Sequence, residues 1–467
     1  MGLIAKIKGW LSLLLIPEKE KAEWGIRPET SAEVDAFISA CARAYRGEPD
    51  WLDSENHIKT INFAKAVCSE TARLTTLDVA ITVSGSARAD WIQGQLDAIS
   101  GSLRHWAEYG CAYGTMILKP NGEAVDCVTP GAFVVTDSAG GAITGAVFQS
   151  KRYDPQRERW FTRLEYHRFL TDGTYVVSNR CYVSRKADRL GDPCAIETTP
   201  WVGLLEDAEI ENVEKPLFGV FRTPAANNLE TGSPLGMPIF ADALEELEDL
   251  DVAYSRNAKE IADSKRTLLL DSDRLFPSGT KIRRNYAEKA EEMGLPDFIK
   301  AVEGGGSAEV YHEINPSLHT DMRLQGINAL LSQIGYKCGF ANGYFVFNEN
   351  SGLATATQVE ADQQRTVQLI KDVRDKLESC LDGLIYALDK FADLYDLAPA
   401  GAYEVTYDFG DLTYNEDEDR ARWLGYVTQG YIPMWYYLNR FEGFSEDEAK
   451  ALVAAAQPAE TLFGAEE

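Results

Sequence analysis

Side chains able to do chemistry are plentiful in this chain of 467 residues, but they do not converge. The eight cysteines, Cys41, Cys68, Cys111, Cys127, Cys181, Cys194, Cys338 and Cys380, include no CxxC pair, and no histidine stands at zinc-finger spacing from them. Reduced, mostly buried thiols in a cytoplasmic product are the expectation. The five histidines, at positions 57, 105, 167, 312 and 319, form no HExxH motif, and the sequence has no P-loop, GxSxG or dinucleotide fingerprint. The acidic run from Glu416 to Asp419 could gather a cation, but Asn415 with Glu418 makes a capping box, and acids favour a helix's first turn. These residues predict no catalytic group, no metal site, no cofactor and no enzyme activity.

What remains is contact chemistry, at two places. The loop from Ala341 to Gly352 carries Asn342, Tyr344, Phe345, Phe347, Asn348, Asn350 and a single charge, Glu349. Amide side chains can touch phosphate weakly without reading bases, and Lys337 just before the loop is the nearest cation. Phe345 and Phe347 would equally suit burial against neighbouring helices. The second place is the segment from Lys265 to His312, where eight Lys/Arg, among them Arg266, Lys281, Arg283 and Arg284, balance eight Asp/Glu. The whole chain has a net charge of -27, so an anionic partner would meet least repulsion there.

Helices must position both. Thr366, Ile370, Val373, Leu377, Leu381, Leu384, Leu388, Phe391 and Tyr395 recur at spacings of three and four with no Pro from Leu353 to Leu397. A helix of roughly 40 residues is about 60 Å long and must run across several layers or between subunits. Upstream, Pro238 fits a first turn, and Ile239, Phe240, Ala243, Leu244, Leu247 and Leu250 form a stripe beside the acids Asp242, Glu245, Glu246 and Asp249. Ser317 suits the cap of a returning helix through Leu324, Ile327, Leu331 and Ile334, which Gly335 and Gly339 weaken. Between these two helices, 267–270 and 309–311 read as strands and 286–293 as a helix.

The first 230 residues read as mixed α/β. Helices are expected at 64–74 and 91–109, and strands at 113–118, 132–136, 146–149, 163–168 and 175–177. A strand at 404–409 follows the long helix, then short helices at 422–427, 434–441 and 446–456, the last with a capping box from Ser445 to Glu448. From Gly401 onward fourteen acids face four bases, a composition for a solubilising surface or for a rim that repels phosphate. The apolar run from Trp10 to Ile16 is too short to span a bilayer, and Ile4, Ile7, Trp10, Leu11 and Leu14 suit an amphipathic helix packed on a neighbour.

Several stretches together carry a family resemblance: Ser233-Pro-Leu-Gly-Met-Pro-Ile-Phe-Ala-Asp-Ala-Leu-Glu-Glu-Leu247, Ala354-Thr-Ala-Thr-Gln-Val-Glu360, Gly443-Phe-Ser-Glu-Asp-Glu-Ala449, Thr162-Arg-Leu-Glu-Tyr-His167, and Pro216-Leu-Phe-Gly-Val-Phe-Arg-Thr-Pro-Ala-Ala-Asn227. In order, from about Asn62 to Ala455, they resemble the portal proteins of tailed bacteriophages, in the group that includes many Gram-positive phages and prophages. The resemblance implies an α+β, portal-like fold: an N-terminal helix (1–20), a mixed wing (21–234), stem helices (235–264 and 317–340) around a small clip (265–316), a tunnel loop (341–353), the long helix (354–397), and a wing strand with crown-like helices (398–467). It further implies a ring, commonly of twelve copies, at the unique capsid vertex of the virion, assembled in the host cytoplasm. Double-stranded DNA would pass through its channel during packaging and ejection. Terminase, head-completion or connector proteins, major capsid protein and scaffolding protein would be its other partners, and no membrane.

Under that resemblance Lys337, Asn342, Asn348, Glu349 and Asn350 become channel-facing candidates, and Arg266, Lys281, Arg283 and Arg284 partner-docking candidates. The acidic balance disfavours tight duplex binding, which needs basic patches, yet suits a wall along which DNA slides. A minor capsid or adaptor protein that does not conduct DNA is the alternative.

Overall fold

The computed structural model describes residues 16–26, 29–122, 124–264, 267–271, 298–302, 311–314, 319–346, 356–410 and 416–455, in two compact units, Met1–Phe409 and Gly410–Glu467. The chain is α+β, as expected. Helices α1 (Glu18–Trp24), α2 (Ala32–Tyr45) and α3 (Phe63–Thr75) precede strand β1 (Ala80–Ser84), and Ser31 caps α2 by accepting from the Val34 amide. Helices α4 (Ala87–Ile99) and α5 (Leu103–Tyr113) follow. The span expected as one helix, 91–109, is two, because the small polar run Ser100-Gly101-Ser102 tightens into a 3-10 turn between them.

Strands β2 (Thr115–Pro120), β3 (Val125–Val128), β4 (Phe133–Ala139), β5 (Ala142–Asp154), β6 (Arg159–Phe169), β7 (Tyr175–Ser184), β8 (Asp192–Cys194), β9 (Asp207–Ile210) and β10 (Gly219–Arg222) complete the first half. Six of them form one antiparallel sheet in the order β4-β5-β6-β7-β8, with β9 also on β7; β10, β2 and β3 form a second. Left-handed glycines turn the chain at Gly122, Gly140-Gly141 and Gly173.

Helix α6 (Leu244–Asp263) begins later than the expected 235, after a 3-10 turn at Ala241–Ala243. Residues 235–240 instead thread into the core, where Leu235, Met237, Ile239 and Phe240 are buried. The Gly236 backbone lies so close to Gly114 that a Cβ on Gly236 would stand 2.3 Å from the Gly114 carbonyl oxygen, an approach that leaves no room for helix. Strands β11 (Thr267–Asp271), β12 (Ile299–Val302) and β13 (Tyr311–Ile314) form a three-stranded insert with β11 central, paired parallel to β12 and antiparallel to β13. β12 was not expected from the sequence; the expected helix at 286–293 lies outside the described residues.

Helix α7 (Thr320–Lys337) has His319 rather than Ser317 at its N-cap, and runs through Gly335 to a left-handed Gly339. The long helix, α8 (Ala356–Leu394), has 39 residues without a break. Its stripe Ile370, Val373, Leu377, Leu381, Leu384 and Leu388 is buried, and the helix packs against β10, β2, α3 and α4, each full burial contributing about 1.5–3 kcal/mol. Tyr395, expected on that stripe, is past the helix and exposed. Strand β14 (Glu404–Asp408) then returns to pair antiparallel with β1.

The second unit holds α9 (Glu416–Thr428), α10 (Met434–Phe441) and α11 (Glu446–Ala455). Trp423 stacks on Tyr436 at 5.6 Å and carries the Arg440 guanidinium on its face. The Ser445 capping box forms, its amide donating to Glu448 Oε2 at 3.0 Å. Among the described residues no helix is long and apolar enough to cross a membrane, and no group of acids, histidines or cysteines could hold a metal ion. All eight cysteines are free; burial pushes the Cys41 and Cys111 thiols up to about 12, which leaves them unreactive.

Candidate functional site

Helices α6 and α7 lie antiparallel, fixed at both ends by acid–base pairs. At one end Glu246 takes Lys337 at 2.5 Å and Gln333 at 2.9 Å; at the other Glu260 takes Arg323 and the His319 amide, the latter at 3.3 Å. Between them Leu247, Leu250, Ile327, Leu331 and Ile334 are buried. The acids beside the α6 stripe are therefore partly used within the chain: Glu246 is clasped, and Asp242 accepts from Asn228 at 3.3 Å. Lys337, the expected cation of the channel, is the partner in that clasp.

Beyond α7 the chain is pinned to α3 and α8. The Ala341 amide donates to Thr366 Oγ1 at 2.8 Å, and Arg365 lies on the Tyr336 ring at 3.8 Å while donating to the Tyr336 carbonyl. Phe345 packs edge-on against Phe63 and Phe340, and Tyr344 donates to Glu70. The first half of the loop is thus seated on the body, and Phe345 is half-buried against neighbouring helices, the alternative given for it above. Asn342 stays exposed, accepting from Ser332. Phe347, Asn348, Glu349 and Asn350 lie outside the described residues, as do Arg266, Lys281, Arg283 and Arg284, which leaves Lys337 and Asn342 as the candidates among the described residues.

Sequence reasoning missed a buried ionic network on β6. Arg163, Glu165 and His167 alternate along the strand and so share one face, opposite Leu164 and Tyr166. Glu165 Oε2 accepts from Lys119 Nζ of β2 at 2.7 Å and from Arg163 Nη2 at 2.5 Å, and Oε1 meets His167 Nε2 at 2.9 Å. The ionised Glu165 can only accept from Nε2 of the neutral His167, so Nδ1 accepts from the Tyr175 hydroxyl at 2.8 Å, whose oxygen accepts from the Leu217 amide. That places the imidazole proton on Nε2, facing Glu165. The period-two run of ionisable residues was the visible signal; Lys119, 46 positions away, was not.

Burial opposes the charge on Glu165, but Lys119, Arg163 and the His167 bond outweigh it and hold the carboxyl well below its usual range. Burial likewise depresses His167, which stays neutral. Both groups bind protons more readily unfolded than folded, so stability should fall as pH drops below about 6.5, where unfolded histidine charges, and further below about 4.3 as unfolded glutamate protonates. In urea titrations from pH 7.5 to 5, a His167→Gln variant should lose the histidine part of this slope; an unchanged slope would refute the assignment.

No protein-family model matches this chain, and no curated protein is detectably similar to it in sequence.

Proposed function

We propose that this protein is a phage portal protein, a ring-forming conduit for double-stranded DNA without enzymatic activity. The observation that carries the reading is the order α6, three-stranded insert, α7, pinned loop, α8: an antiparallel pair clasped at both ends, carrying a small sheet, rooted beside a 39-residue helix. This is the stem, clip and long-helix sequence of elements that the resemblance implies. Apolar residues left exposed on the pair support assembly. Tyr254 and Ile261, seven apart and so on one face of α6, are 48% and 51% exposed, and Met322 of α7 is 67% exposed. A heterologous contact repeated around a ring would cover them.

In this reading terminase and head-completion proteins dock at the insert, and the capsid surrounds the ring. The clasped Lys337 fits a conduit that guides DNA without holding it, since each free cation on phosphate steepens the salt dependence of binding by about 0.9 in log–log slope. Negative-stain imaging should show rings with a hole the width of duplex DNA; only monomers at micromolar concentration in every salt tested would refute it. Ile261→Asp with Met322→Asp should abolish the rings in mass photometry while the circular dichroism of the subunit is retained. Rings of unchanged mass would remove these faces from the contact.

A further inference from the structure

The network on β6 does not fill the space in front of it. Its face opens into a cavity of about 420 Å³ between the six-stranded sheet and the end of α8. Phe391, Leu394 and Tyr395 wall one side and Leu204 and Leu205 another. Two residues on its lining, Arg163 and Asn179, each 5% exposed, carry a buried polar atom without a hydrogen-bond partner, Nε and Oδ1 respectively. The orientation of Asn179 is settled, because its Nδ2 donates to the Leu205 carbonyl at 2.8 Å and leaves Oδ1 as the acceptor. In the register of β6 and β7, Arg163 faces Cys181 and Glu165 faces Asn179, so Arg163 and Asn179 are diagonal neighbours, roughly 7–8 Å apart.

The electrostatics favour one kind of occupant. Lys119 and Arg163 bring two buried positive charges against one from Glu165, with His167 neutral. An anion beside Arg163 Nε would balance the excess and satisfy the orphaned donor. Asp207 and Glu209, also on the lining, oppose negative charge more weakly, because both are exposed to solvent and Asp207 is paired with Arg180 at 3.3 Å. Asn179 Oδ1 asks for an N–H donor close to that anion, and the α8 wall for an apolar group.

We propose that this cavity binds an N-acylated apolar α-amino acid, with its carboxylate on Arg163, its amide N–H on Asn179 and its side chain against Phe391 and Leu394. The free carboxyl end of a peptide presents the same chemistry. The site is independent of the ring reading.

The test is calorimetric titration of the full-length chain with N-acetyl-L-leucine, against its neutral amide and against a Leu394→Trp variant. Leu394 is 46% exposed, so the tryptophan narrows the cavity from its mouth and leaves the ionic network intact. Saturable binding is expected, at least about tenfold weaker for the amide and lost in the variant. A hexapeptide ending in leucine separates the sources: tighter binding than the small acid supports a protein terminus as the occupant, weaker binding a small molecule. No saturation by either at millimolar concentration, equal binding of acid and amide, or equal binding by Leu394→Trp would overturn the proposal, leaving water as what fills the cavity.

Discussion

Gly219→Val should leave the chain unable to fold stably, with a loss of roughly 3 kcal/mol or more in denaturant unfolding and most protein insoluble on expression. Gly219 opens β10 where that strand crosses α8. A Cβ there would sit 1.9 Å from the Cys380 carbonyl oxygen and 2.8 Å from the Leu384 amide nitrogen. From the other side, a Cβ on Gly383 would meet the Gly219 Cα at 2.7 Å. Both glycines face one another without side chains, so helix backbone rests directly on strand backbone. Neither element can yield: β10 is paired to β2 residue by residue, and α8 is held by its buried stripe on the other elements. Gly94→Ala, at a helical position with nothing within 4 Å of the added methyl, is the control and should stabilise by about 0.5–1 kcal/mol. Equal behaviour of the two variants would show that the contact is looser than these distances.

The long helix was legible because its signal is redundant: six buried aliphatics at helical spacing and no Pro fix it within two or three residues of 356–394. Strands were legible only at their most apolar centres. Ala146–Gln149 is the heart of a 13-residue strand whose outer half, with Lys151 and Arg152, is half-exposed and carries no apolar alternation. The start of α6 was misplaced because Pro238 and an apolar run also describe a buried extended segment, and only Gly236 meeting Gly114 across 122 positions decides between them. The α6–α7 clasp was not visible for the same reason. Glu246 and Lys337 each read as free surface charges, since their pairing is written in the packing of two helices and in neither helix alone. Charge counts along a chain report composition, not which charges are already spent on each other.

Arg88 makes the same point with a larger effect. Replacing it by Met should cost about 3–5 kcal/mol, the range for removing one partner of a buried ion pair. The guanidinium is 1% exposed at the start of α4 and makes five hydrogen bonds: to Asp389 Oδ1 and carbonyl oxygen at 2.7 Å each, Asp393 Oδ1 at 2.6 Å, the Ala398 carbonyl at 2.7 Å and the Pro399 carbonyl at 3.2 Å. Burial works against its charge, and the bonds to Asp393 and Asp389 more than offset that, raising its affinity for the proton. It stands where the chain leaves α8 and turns toward β14, whose partner β1 ends four residues before it. One side chain therefore closes the corner that joins the last strand of the unit to an early one. Met would fill the volume but leave the Ala398 and Pro399 carbonyls without this donor and two carboxylates without a cation. Lys brings a point charge and three donors in place of the five-donor fork, so Arg88→Lys should recover only part of the loss. Asp393→Asn, at the more exposed of the two acids, should cost less than either, and combined with Arg88→Met should be less than additive in a double-mutant cycle. An Arg88→Met variant as stable as the parent, or strictly additive with Asp393→Asn, would mean that this corner is held by the β1–β14 pairing alone.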